Sequence, residues 1–83
     1  MSPRLPRDLS GRRLAQALSA YGYALTRQTG SHMRLTTPER GGHHLTVPDH
    51  DALRVGTLAA VLGEVAAHFG VERRDVERTL FGG

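Results

Sequence analysis

Between Tyr23 and Val47 the apolar residues stop recurring at helical spacing and begin to alternate, and this change of period constrains the fold more than any other feature. Tyr23, Leu25 and Arg27 are set to point one way, with Ala24, Thr26 and Gln28 pointing the other, the two-residue repeat of a strand over residues 23–28. Thr29-Gly30-Ser31 is turn chemistry. Residues 32–37 alternate again, Met33 and Leu35 apolar against polar His32, Arg34 and Thr36. A second turn, residues 38–42 (Pro-Glu-Arg-Gly-Gly), leads into a third run in which Leu45 and Val47 oppose His44 and Thr46. Pro48 ends it, having no N–H to give to a ladder. Three short strands joined by short turns predict an antiparallel meander with one apolar face and one wet face.

Helical spacing flanks the meander on both sides. Ser10 is placed to cap a helix whose apolar positions are Leu14, Ala17, Leu18 and Tyr21, and Gly22 supplies a left-handed stop. After a loop at 49–55, Gly56-Thr57 opens a helix with Leu58, Val61, Leu62, Val65 and Phe69 on one stripe, closed by Gly70. Residues 72–81 form a further amphipathic helix through Val76 and Leu80, with acids near its start where the helix dipole favours them. The order is α-β-β-β-α-α in an α+β class. Helices on one side are expected to cover Leu25, Met33, Leu35, Leu45 and Val47, with Tyr21 and Tyr23 in the core or at its edge. Those layers, with a wet polar face opposite, are the architecture of a double-stranded-RNA-binding domain.

Eighty-three residues leave room for a single domain and no interdomain cleft. Residues 1–9, with Pro3 and Pro6 among charges, read as a flexible lead-in to a domain at 10–83. The absence of cysteine removes disulfides, thiolate metal sites and a cysteine nucleophile. No stretch approaches the roughly 20 apolar residues that span a bilayer, and no apolar run follows Arg4 and Arg7, so a cytoplasmic protein with no membrane partner is expected. All eleven basic residues are arginine. Residues 1–54 hold eight of them against four acids, whereas residues 55–83 hold three against four, so a polyanion is drawn to the front of the chain.

Five histidines are the candidates for chemistry. His68 lies in the second helix beside its apolar stripe and reads as structural. His43 and His44 are adjacent on a strand, face opposite ways and cannot readily share a metal. With no cysteine and no helical His pair, neither a metal site nor a cofactor is expected. His32 differs because it follows a Gly-Ser turn at the mouth of a strand, with Arg34 as its outward neighbour and His44 or Thr46 across the meander. A neutral imidazole there can take a proton from a ribose 2′-OH or return one to a leaving 5′-oxygen. Arginine can balance the charge that grows on the phosphate. Gly30 allows backbone N–H groups to approach a phosphate, and Ser31 adds a hydroxyl donor. Arg27, Arg34 and the pair Arg12-Arg13 at the start of the first helix are the candidate RNA contacts, weighed against ordinary solvated charges.

The run Arg27-Gln28-Thr29-Gly30-Ser31-His32, preceded by Tyr21-Gly22-Tyr23 and followed by Val47-Pro48-Asp49-His50 and Gly56-Thr57-Leu58, resembles the HicA (YcfA-like) toxin family over roughly residues 10–81. It departs from many members in having Met33 after the histidine and no lysine. The resemblance implies a metal-independent endoribonuclease that cleaves mRNA through a single catalytic histidine, here His32, on a double-stranded-RNA-binding-like fold. It also implies a two-gene toxin–antitoxin system in which a HicB-like antitoxin covers the site. His50 matches a second family histidine and is read as structural. The competing reading is a non-catalytic double-stranded-RNA-binding module, which would have no need of the Gly-Ser-His turn.

Overall fold

In a computed structural model that describes residues 6–82, three helices and a three-stranded antiparallel sheet of order β1-β2-β3 form the α+β arrangement anticipated from the change of period. The first five residues of the lead-in lie outside the described part. Its last residue, Leu9, packs against the core and accepts a hydrogen bond from the Leu53 amide at 2.8 Å.

Helix α1, Gly11–Ala17, starts where Ser10 Oγ accepts the Arg13 amide, and a 3-10 turn, Leu18–Tyr21, extends it to Gly22 at φ 83. A side chain at Gly11 would have no room, since a Cβ there would lie 1.8 Å from the Pro48 carbonyl oxygen. The Gly11 amide also donates to the His50 carbonyl at 2.9 Å. The start of α1 is thereby set directly on the chain leaving β3.

Strands β1 (Ala24–Thr29), β2 (His32–Thr37) and β3 (His43–Pro48) carry the meander. β2 alternates as anticipated: Met33 and Leu35 are buried while His32 and Arg34 are exposed. In β3, Leu45 and Val47 are buried and His44 and Thr46 are exposed. Pro48 is the last residue of β3 and sits opposite His32 rather than beyond the ladder.

β1 corrects two expectations. The pairing runs Ala24 to Thr36 and Leu25 to Leu35, then shifts, so that Arg27 faces Arg34, Gln28 faces Met33 and Thr29 faces His32. The extra residue is Thr26, and beyond this bulge every side chain has exchanged faces relative to simple alternation. Arg27, expected on the side of Leu25 and Tyr23, therefore lies on the wet face. Leu25 does keep to the apolar side but is 49% exposed, because β1 is an edge strand that the helices do not reach over.

Helix α2, Val55–Phe69, begins a residue earlier than Gly56 and ends on Gly70 at φ 67. It buries Leu58, Val61, Leu62 and Val65 against Leu14, Leu18, Met33, Leu35, Leu45 and Val47. α3, Arg73–Phe81, is capped by Glu72 and Asp75, each accepting the other's backbone amide, and contributes Val76 to the core. Helices thus occupy one face of the sheet and leave the other bare.

Candidate active site on the open sheet face

The bare face is built by the alternation that buries Met33 and Leu35. His32 and Arg34 must emerge opposite to those residues, and the bulge adds Arg27 and Thr29 beside them. Across β2, Arg34 faces Thr46. These five side chains, Arg27, Thr29, His32, Arg34 and Thr46, line one shallow open basin of about 220 Å³. No aspartate or glutamate occurs in any of the three strands, so the basin combines two guanidinium groups, two hydroxyls and one imidazole with no carboxylate to oppose an anion.

The turn that delivers His32 is braced from the opposite side of the sheet. Gly30 is the first of its two residues and has φ 58, the sign a type II′ hairpin requires there. An added Cβ at Gly30 would meet nothing within 4 Å, so the backbone angle is what calls for glycine. The Ser31 carbonyl accepts the Asp49 amide at 2.6 Å, which ties the turn to the end of β3. Gln28 Nε2 donates to the Gly30 carbonyl at 3.2 Å and to Asp49 Oδ2 at 3.0 Å. Arg12 Nη2 reaches the same Asp49 oxygen at 2.9 Å, an ion pair whose arginine remains 61% exposed.

Of the residues singled out in the sequence, the structure brings His32, Arg27 and Arg34 into one basin, with Gly30 and Ser31 in the adjoining turn. Arg12 does not join them. It lines a separate groove with Ala15, Gln16, Leu25 and Met33 between α1 and β1, and its pairing with Asp49 compensates a cation at a helix start. Arg13, its exposed neighbour on α1, lies on the helical side as well. His50 has an exposed side chain and serves the fold through its carbonyl, which holds Gly11.

Sequence reasoning missed Asp49 as the brace and Thr29 as a basin residue. A two-residue turn pairs its flanking positions, so Gly30-Ser31 carried the signal that Thr29 would face His32.

Two of the remaining histidines, His43 and His68, serve the fold at the far end of the sheet. His43 stacks on His68 with ring centroids 4.7 Å apart, and His68 Nε2 lies 2.9 Å from the Glu39 carbonyl. Tyr23 Oη is 2.8 Å from His43 Nδ1. Burial first, and the Glu64 carboxylate second, push the Tyr23 phenol up to about 12, so it stays neutral and able to donate. Among the described residues no three His, Cys, Asp or Glu side chains converge as a metal site would need.

Comparison with known families identifies what this arrangement belongs to. The family described as HicA toxin of bacterial toxin-antitoxin matches residues 11–66, from the glycine that starts α1 to the last third of α2. The chain belongs to the HicA toxin family. The match spans β1, the Gly-Ser-His turn, β2 and β3, and so includes every residue of the basin. No curated protein and no solved structure matches the chain. As a HicA-family member the chain is the toxin of a toxin–antitoxin pair, which implies an antitoxin partner. No single helix among the described residues is long and apolar enough to cross a membrane.

Proposed function

We propose that this toxin is an endoribonuclease of the cytoplasm in which His32 is the catalytic residue. The observation that carries the reading is the basin itself: an exposed imidazole flanked by two guanidinium groups and two hydroxyls, with no carboxylate among its lining residues. That set suits an RNA phosphodiester. His32 takes the proton of the ribose 2′-OH, and O2′ then attacks phosphorus. Arg27 and Arg34 offset the negative charge that accumulates on the non-bridging oxygens. The P–O5′ bond breaks, and the imidazolium returns its proton to the departing oxygen. The products are a 2′,3′-cyclic phosphate and a 5′-hydroxyl, with no net redox change and no water consumed. The ribose supplies the nucleophile, so the reaction needs no metal-bound water.

Gly30 and Ser31, exposed in the turn beside His32, are positioned to offer a backbone amide and a hydroxyl to the next phosphate. Arg12 and Arg13 lie outside the basin and would meet only RNA that passes around the β1 edge. Messenger RNA is the target this reading assigns, with arrested translation as the consequence, and a HicB-like antitoxin would neutralise the toxin by covering the basin.

RNA incubated with the protein in excess EDTA and resolved on a denaturing gel tests the reading. Shortened products bearing cyclic phosphate ends support it. Intact RNA that is merely retarded on a native gel would instead mark a double-stranded-RNA-binding module.

A further inference from the structure

Arg27 reaches the basin only because β1 is bulged. Continued regularly from the Leu25–Leu35 pair, the ladder would set Thr26 against Arg34, Arg27 against Met33 and Gln28 against His32. The guanidinium would then turn toward the helix side, Thr26 would take its place opposite Arg34, and the Gln28 amide would replace Thr29 opposite His32. The inserted residue instead puts Thr26 and Arg27 together across from Arg34, and restores Thr29 opposite His32.

Thr26 is fastened at this point by its own side chain. Its Oγ1 lies 3.3 Å from the Arg34 carbonyl, to which it donates, and 2.9 Å from Thr36 Oγ1, whose hydroxyl can donate in return. Both partners lie on β2, on either side of the shift in register. The clamp therefore joins the bulged backbone to the strand that carries His32 and Arg34. Bulges bend a strand and re-aim the neighbouring side chain. What the hydroxyl clamp adds is the direction in which Arg27 points.

We propose that Thr26 is a positioning residue: its hydroxyl clamps the β1 bulge so that Arg27 and Arg34 converge as one phosphate cradle around His32. This deepens the ribonuclease reading and rests on the same basin, but it is testable without cleavage.

The probe is inorganic phosphate, titrated into labelled protein and followed by NMR at the Arg27 and Arg34 Nε–H groups and the His32 ring. In the parent these signals shift together with one dissociation constant. Thr26→Val keeps the β-branched shape and removes the clamp, and should weaken phosphate about fivefold, the size of one net hydrogen bond. Thr26→Ser should restore binding to within about twofold. Thr36→Val removes one of the two Thr26 hydrogen bonds from the other strand and should weaken binding by a smaller factor, which preserves the test if Thr26→Val misfolds. In an Arg27→Gln background, Thr26→Val should have no further effect, because Thr26 acts through Arg27.

Equal phosphate affinity in the parent, Thr26→Val and Thr36→Val would overturn the proposal, as would an undiminished effect of Thr26→Val on Arg27→Gln. Phosphate binding that follows the predicted pattern, in a protein that leaves RNA intact, would uphold the cradle and refute the ribonuclease reading. RNA cleavage with phosphate binding indifferent to Thr26 would do the reverse.

Discussion

At the scale of single residues, burial and charge decide which polar groups serve the fold and which remain available. Tyr23 is 2% exposed and its phenol is raised from 10.0 to about 12. Between those values the unfolded chain has lost a proton that the folded protein keeps, so stability falls as pH rises. The contribution is intact below pH 10.0 and is lost by about pH 12. It amounts to at most about 2–3 kcal/mol by linkage, less what solvent screening removes. Urea midpoints measured across this range should drop for the parent and fall less steeply for Tyr23→Phe. Parallel curves for the two proteins would show that Tyr23 does not carry the alkaline transition. His32 is the opposite case, exposed at the mouth of the basin and paired through its backbone with Thr29 on one side and Pro48 on the other.

At the scale of elements, contacts between the ends of segments matter as much as the segments themselves. Gly11 admits α1 against the end of β3, and Gly11→Ala would drive a methyl into the Pro48 carbonyl oxygen. Overpacking against backbone should cost about 2–3 kcal/mol, read as a lowered urea midpoint with an unchanged m value. A variant as stable as the parent would mean that α1 can move away freely. The strands, their turns and the three helices were legible from periodicity, because burial on one face imposes it. Arg27 was misplaced for a physical reason. A bulge leaves no mark on an alternating pattern when the residues beyond it, Arg27, Gln28 and Thr29, are all polar. For Leu25, alternation assigns a face but does not say how far a helix extends over an edge strand.

At the scale of the whole molecule, layering separates support from chemistry. Helices cover one face of the sheet, the Arg12–Asp49–Gln28 network braces the turn from that side, and the acid-free face opposite holds the basin. The grouping of His32, Arg34 and the Gly-Ser turn as a candidate site was readable because strand alternation and the spaced family motifs point to the same residues. Thr29 was readable only through the two-residue turn that pairs it with His32, and Asp49 was not readable at all, since its role arises from tertiary contact. The placement of Arg12 likewise depends on tertiary contact with Asp49, which no local pattern discloses.

If His32 performs the chemistry, comparing His32→Ala with the parent on one end-labelled RNA in EDTA will show it. The cleavage rate should fall by at least about a hundredfold, with RNA affinity and thermal melting close to those of the parent. A His32→Ala protein that is folded and cuts RNA at the parental rate would contradict it.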